Sequence, residues 1–406
     1  MGPMTSSPRI AFVSLHTSPT AVPGTGDAGG MNVVELHQGL ELAALGHTVE
    51  LITRRSDPDL PEVTEIAPGL TLRQVTAGPA EIVAKSQQEA LIGEFSAGLA
   101  RLEPYEIVHS QHWMSGVAAL PVAQQWSVPH VQSYHSIAAQ RIGLPLSEGE
   151  PPESPGRVAG EALVARESDL VVAVSRAEAA TVVERCGGDA ERVVVVPPGV
   201  DGEMFRPVRV GDEPWRKGIA PYLVFAARLQ PLKAPDVVVR SLGLIDPQVR
   251  PRLVIAGDGS PDFPTYAQQL RDLASGAGVA DSVIFVGSLP RPELAQLLRG
   301  ASAAVVPSYS ETFGLIALEA ESCGIPVVAA RGSGGLEESV IDGRTGVLVD
   351  GHDPQRWAEG LESLLRDEPR RSLLGRQARS FAEQLTWRRS AKRLWEHYDR
   401  LLGGVA

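Results

Sequence analysis

Cysteine is nearly absent: Cys186 and Cys323 are the only two in 406 residues. So few thiols cannot build a disulfide framework or a thiolate zinc site, and they suit a reducing compartment. Basic residues are also in deficit, with 37 Lys and Arg against 49 Asp and Glu and a net charge of −12. A general nucleic-acid binder or a protein of anionic membrane surfaces needs a basic face, so neither partner is expected, although a small basic pocket stays open. Long apolar runs are missing too. None approaches the roughly 20 residues that span a bilayer, so membrane insertion is not expected. The start, "MGPMTSSPRIAFVSL", has no basic segment ahead of its apolar stretch, which reads as a first strand. A cytoplasmic location is the expectation.

What is present is a repeated rhythm. "RIAFVSL", "TVELITR", "TLRQVT", "EIVHSQ", "HVQSYH", "DLVVAVS" and "RVVVVPP" are short β-branched runs separated by helical patterns. After "PGVDGEMFRPV" the series restarts with "YLVFAAR", "RLVIAGDG", "SVIFVGS", "AAVVPS", "PVVAAR" and "GVLVD". Continuous apolar strands alternating with helices indicate parallel sheets covered on both faces. The expected fold class is therefore α/β, with two doubly wound, Rossmann-like domains over residues 1–202 and 203–386. The segment "LPLSEGEPPESPG", 144–156, reads as a polar surface loop. Residues 387–406 read as an amphipathic helix with Leu394, Trp395, Tyr398 and Leu401 near one stripe. That helix either packs on its own domain or crosses back over the junction.

Three stretches carry chemistry. "PGTGDAGGMN" contains G-x-G-x-x-G at Gly24, Gly26 and Gly29, but "HTSPTAVPG" separates it from the first strand. A dinucleotide-binding turn follows its strand directly, so the match is a poor one. A Gly-rich loop that enters a helix near Gly29 and Gly30 still offers free N–H groups to an anion, and His16, Asp27 and Asn32 can bind hydroxyls. A ligand-free turn is the alternative. In "ARLQPLKAPD", Arg228 and Lys233 stand at the carboxyl end of a strand, where open α/β sheets bind ligands and two cations can neutralise a diphosphate. In "SYSETFGLIALEAESCG", Glu311 and Glu319 lie eight residues apart around an expected helix start, where the N–H groups of Phe313, Gly314 and Leu315 would form the first turn. Carboxylates there can accept from sugar or ribose hydroxyls, although Glu319 alone could be a plain surface charge.

On "HTSP…PGTGDAGGMN", "AGPAEIVAKS", "HSQHWMSG", "RLQPLKAPD", "ETFGLIALEA" and "DGRTGVLVDGHDP", nearly end to end, the chain resembles the retaining glycosyltransferases of family 4, which have the two-Rossmann GT-B architecture. Within them it is most similar to the branch that moves N-acetylglucosamine to an inositol phosphate in mycothiol biosynthesis. The resemblance implies a UDP-GlcNAc-like nucleotide-sugar donor in the cleft and a small, anionic acceptor such as a cyclitol phosphate. It implies no metal or other cofactor, and it admits a homodimer. By matching motifs, Arg228 and Lys233 grip the diphosphate and Glu319 takes the ribose. Glu311, with the N–H groups of Phe313, Gly314 and Leu315, takes the donor sugar, His135 touches that sugar, and Gly30 approaches the diphosphate from the opposite lobe. Arg228, Lys233, His135 and Glu311 form the implied catalytic set. The implied acceptor positions are His16, the loop Asp27, Ala28, Gly29, Gly30, Met31 and Asn32, then Lys85, His112, Ser136 and Arg157.

The sequence departs from that pattern at several places. His112 stands for a tyrosine, Ser136 for a threonine, Leu289 for an arginine beside the nucleobase with Arg291 only two residues away, Ala227 for a glycine and Val22 for a glutamine. UDP versus GDP stays open. So does a specialised-metabolite acceptor, such as an aminocyclitol or a thiol like ergothioneine in lincosamide biosynthesis. Two other classes compete. An NADP-dependent oxidoreductase would use the glycine loop and "TRRS" but leaves the second-half motifs without a role. A sugar-nucleotide-binding regulator would keep those motifs without turnover. His109 and His112 have ligand-like spacing but no evident partner for a metal.

Overall fold

Strands such as Arg9–Ser14 and Tyr222–Ala226 are apolar on both faces, so each needs helices on both sides. The computed structural model describes residues 8–24, 28–138, 156–219, 221–259 and 263–403. Asp27 and most of segment 144–156 lie outside them.

The first sheet runs β3-β4-β2-β1-β5-β6-β7-β8. Its strands are β1 (Arg9–Ser14), β2 (Thr48–Arg54), β3 (Val63–Ala67), β4 (Leu70–Val75), β5 (Ile107–Gln111), β6 (His130–Ser133), β7 (Leu170–Ala173) and β8 (Val193–Val195). The helices are α1 (Gly30–Ala44), α2 (Ile92–Leu99), α3 (Trp113–Trp126), α4 (Arg157–Glu167) and α5 (Arg176–Cys186). The second sheet runs β11-β10-β9-β12-β13-β14. It comprises β9 (Tyr222–Ala226), β10 (Arg252–Ala256), β11 (Val283–Gly287), β12 (Ala303–Val306), β13 (Val327–Arg331) and β14 (Gly346–Asp350). Around it lie α6 (Pro235–Leu244), α7 (Tyr266–Gly276), α8 (Arg291–Arg299), α9 (Leu315–Ser322), α10 (Leu336–Ser339), α11 (Pro354–Arg366) and α12 (Glu368–Ala382), followed by α13 (Trp387–Gly403).

Alternation along each strand divides the cores. Ile10 and Phe12 pack with Leu42 of α1, whereas Ala11 and Val13 pack with Phe95 of α2 and Met114 of α3. In the second sheet Val224 and Val254 join the α8–α9 side, and Leu223, Phe225 and Ile255 join α6, α7 and α11. Strand β3 was not among the sequence-read strands. It pairs antiparallel to β4 at the sheet edge, and its exposed start gives it no continuous apolar run to read.

Chain passes between the sheets twice, and the two passages meet. Val200 bridges Thr386 in parallel, and the Val200 N–H donates to Leu385 O at 2.9 Å. Gly199 permits this approach, because a Cβ there would lie 2.1 Å from the Trp387 nitrogen. Helix α13 then lies on α1 in the first lobe. Ala391, Leu394 and Tyr398 enter the core of Ile10 and Phe12, with Trp395 and Leu401 packed at its margin. Gln38 donates to Ser390 Oγ at 3.2 Å, and Tyr398 Oη meets His109 Nδ1 at 2.5 Å. No helix among the described residues is long and apolar enough to cross a membrane.

Candidate functional site between the two lobes

The strand ends that carry the sequence motifs open toward one another. In the first lobe β1 ends and the chain loops through His16 before α1 begins at Gly30. Gln88 fixes that loop by donating to His16 O and Val83 O at 3.2 and 2.8 Å. The His16 and His112 rings lie 4.4 Å apart between centroids, tilted by 43°. His112 holds φ 73° between β5 and α3, a left-handed conformation uncommon outside glycine. Its N–H donates to Ser133 O at 2.8 Å and its carbonyl accepts from Gly116 N at 3.1 Å, which stabilises the turn. The ring is buried, and neither of its nitrogens has a hydrogen-bond partner among the described residues. Burial, and then the neighbouring charges of Lys85, Arg228 and Arg157, hold the His16 imidazole well below its ordinary range. Burial does the same to His112, helped by His16, Lys85 and Arg157.

His135 also sits at positive φ, 58°, and Gln111 Oε1 lies 2.6 Å from its Nε2. Burial depresses its imidazole to about 4. Beside it, Arg157 pairs with Glu161 at 2.8 Å and donates to Ser136 Oγ at 3.1 Å. Glu161 is wholly buried and also accepts from the Ala138 N–H at 3.0 Å, so the cation and its loop are fixed together.

In the second lobe Arg228 follows β9, and Lys233 ends the single turn Pro231–Lys233 before α6. Lys233 Nζ lies 2.8 Å from Glu311 Oε1, which also accepts from Ser308 Oγ at 2.7 Å. The Glu311 backbone is held on both sides: its N–H donates to Ser333 O at 2.8 Å and its carbonyl accepts from Gly335 N at 2.9 Å. Gly335 is needed there, since a Cβ would lie 1.9 Å from Thr312 O. Farther along α9, Glu319 pairs with Arg291 at 2.6 Å. Burial raises the Glu319 carboxyl against the opposing pull of Arg291.

The lobes touch across this site. Thr312 Oγ1 donates to His135 O at 3.2 Å, and Ser288 Oγ donates to Gly24 O at 2.8 Å. A Cβ on Gly30 would lie 3.3 Å from Leu315 Cδ1. Motifs separated by some 200 residues in the chain therefore line one junction.

Comparisons with known proteins bear on this geometry. The family model "Glycosyl transferase 4-like domain" matches residues 29–199, and "Glycosyl transferases group 1" matches 213–381. The chain is 42% identical to a D-inositol 3-phosphate glycosyltransferase of Thermobispora bispora, over 98% of this chain and 96% of that protein. A protein of the same description from Stackebrandtia nassauensis is 41% identical over 97% of this chain and 90% of its own. The chain belongs to the family 4 glycosyltransferases. Its fold is the GT-B fold: the sucrose-phosphate synthase structure from Thermosynechococcus elongatus superposes with a TM-score of 0.88 at 27% identity, covering 98% of this chain and 100% of that one.

Several expectations change in this glycosyltransferase. Helix α9 starts at Leu315 with Gly314 as its cap at φ 91°, so Phe313 precedes the first turn and is buried instead. Asn32 is not free to meet an acceptor. Its Oδ1 accepts from Gly29 N at 2.9 Å, and its Nδ2 donates to Thr17 Oγ1 and Ser18 O at 3.1 and 2.7 Å. Its side chain ties the loop to the start of α1, where Ala28 is buried and Gly29 and Met31 half-buried. Arg54 of "TRRS" donates to the carbonyls of Arg55, Pro79 and Glu81, which leaves it no dinucleotide phosphate to hold. His109 is committed to Tyr398 and Ser133. No group of three or more His, Cys, Asp or Glu side chains among the described residues is arranged for a metal ion. Sequence reasoning missed Gln111, Ser308 and Glu161, and it noted Arg291 only by position, without its pairing to Glu319. Only Arg291 had a signal, its nearness to Leu289.

Proposed function

We propose that this glycosyltransferase moves a sugar from a nucleoside diphosphate, UDP-GlcNAc-like, to a small anionic acceptor of the inositol phosphate type, with retention at the anomeric carbon. The observation that carries the reading is the meeting of the motif-bearing strand ends of the two lobes, Thr312 with His135 and Ser288 with Gly24, where the charges of Lys85 and Arg157 from the first lobe and Arg228 from the second all act on the buried His16 imidazole. Fixed positive charge on both sides suits two anionic partners, a diphosphate and an acceptor phosphate. The relatives' description as D-inositol 3-phosphate glycosyltransferases supports the acceptor class.

In the reaction the acceptor's nucleophilic atom bonds to the anomeric carbon as the bond from that carbon to the diphosphate oxygen breaks. The acceptor proton passes to the departing phosphate oxygen on the same face, which preserves the configuration. Arg228 and Lys233 stabilise the charge that gathers on the diphosphate, Glu319 accepts from ribose hydroxyls, and Glu311 accepts from the sugar. His135, neutral from about pH 5 upward, offers its carbonyl and ring to the sugar side. Metal is not part of the scheme, because the side-chain cations supply the neutralising charge.

His112 favours a second reading of the acceptor. A buried imidazole with two unpartnered nitrogens is smaller than the tyrosine it replaces, and it accommodates an aminocyclitol or a thiol as well as a cyclitol phosphate. A screen of UDP- and GDP-sugars against inositol 1-phosphate and 3-phosphate, aminocyclitols and ergothioneine, read by mass spectrometry, tests both. Hexosaminyl transfer from UDP to an inositol phosphate is expected. Transfer to an aminocyclitol or to ergothioneine in preference would replace the acceptor assignment, and no release of nucleoside diphosphate with any pair would overturn the reading.

A further inference from the structure

Arg291 has no role in the scheme above, yet its guanidinium is tightly placed. It opens α8, rests 4.7 Å from the centroid of the buried Phe205 ring, and puts Nη1 2.6 Å from Glu319 Oε1. The two side chains are 22% and 5% exposed, so this pair is sheltered from solvent screening. Among the described residues no other side chain or N–H bonds the Glu319 carboxylate. In the first lobe, burial and then the charge of Arg291 lower the His37 imidazole of α1 to about 4, with Asp201 opposing them.

The other charged groups packed around α9 are engaged elsewhere. Arg379 of α12 donates to Ser322 O and Phe205 O, and Arg299 of α8 pairs with Asp212. On α10, Glu337 accepts from Gly332 N and Glu338 from Ala177 N. Arg331 of β13 pairs with Asp342 and Asp350. On α9 itself, burial raises the Glu321 carboxyl, and at the helix end it pushes the Cys323 thiol to about 12. Among the described residues Arg291 is thus the one nearby cation that opposes the cost of burying a charged Glu319.

We propose that Arg291 is a positioning residue for the donor nucleoside, holding Glu319 as an aligned, ionised acceptor for the ribose hydroxyls. This rests on the donor reading of Glu319. Phe205 supplies the floor that fixes the guanidinium plane, and the cation occupies one carboxylate oxygen, which turns the other toward the ribose.

Calorimetric titration with UDP and with GDP, from pH 6 to 8.5, tests the proposal on the full chain and on R291A, R291Q, R291K and E319Q. Loss of the guanidinium lets burial raise Glu319 further, so more of it is protonated as the pH falls. UDP affinity of R291A and R291Q should therefore drop about tenfold at pH 7, the equivalent of one pKa unit. The deficit should widen toward pH 6 and narrow toward pH 8.5, with R291K recovering most of the binding. In E319Q, adding R291A should produce no further pH dependence. The proposal is overturned by wild-type affinity and pH profile in R291A and R291Q, or by an equal, pH-independent loss in all three Arg291 variants. Binding of neither nucleotide by the wild-type chain would remove the donor reading and this role with it; binding by wild type together with indifferent Arg291 variants would remove only this role.

Discussion

Lys233 stands between two partners. Its ammonium rests 2.8 Å from Glu311, and a diphosphate would add stronger negative charge within reach of the same group. Lys233→Ala should lower kcat by about 100-fold or more, the usual order for removing a group that meets developing charge, and leave the acceptor KM unchanged. Steady-state kinetics with the donor saturating would show this, and near-wild-type kcat would contradict the assignment. His135 makes a different prediction. Burial keeps its imidazole near 4, below the ordinary value, so it is neutral from about pH 5 upward and contributes no charge change there. The pH profile of kcat over KM for the donor should carry no inflection near pH 6.5 that disappears in His135→Gln. Arg157 bears on stability as well as binding. Arg157→Ala leaves the fully buried Glu161 without its cation and should cost about 3 kcal/mol in urea unfolding. Adding Glu161→Gln should recover part of that loss, and a neutral Arg157→Ala would show that the pair is not a stabilising one.

Helix α13 is the element whose behaviour depends most on single contacts. Tyr398 Oη is the partner of His109 Nδ1 inside the core of the opposite lobe. Tyr398→Phe keeps the apolar packing and strands that ring nitrogen, which should cost about 1–3 kcal/mol. Equilibrium unfolding measures it, and an unchanged midpoint would mean that the hydrogen bond does not anchor the helix. The strands and α13 were legible in the sequence because burial on both faces and a helical stripe leave periodic apolar patterns. Strand β3 left none, since its outer residues face solvent. The cleft was legible as motifs but not as pairs. Nothing local links Lys233 to Glu311, or Arg291 to Glu319 across 28 positions, because their contact arises only when neighbouring βα units pack. Asn32 is a related case: an amide beside a glycine loop can face a ligand or cap the helix, and only the folded loop shows its amide donating to Thr17 and Ser18.

At the scale of the molecule, the two passages at Val200 and Thr386 and the contacts across the cleft hold the lobes together. Glu338 is one such contact. It accepts from the Ala177 N–H at 2.9 Å and pairs with Arg176 at 3.3 Å. The Arg176 side chain is exposed, so the ion pair contributes little, and the buried end of the contact is the hydrogen bond. Glu338→Ala should therefore enlarge the radius of gyration measured by X-ray scattering without nucleotide, and UDP should reverse the change. An unaltered radius would place the lobe contact elsewhere. In the proposed complex, Arg228 and Lys233 of the second lobe and the backbone at Gly30 of the first enclose the diphosphate. A crystal structure with UDP bound tests this arrangement most directly. The diphosphate oxygens should lie within hydrogen-bonding distance of Arg228 and Lys233, with Gly30 facing them across the junction. A diphosphate seated elsewhere, with Lys233 still held by Glu311 alone, would contradict it.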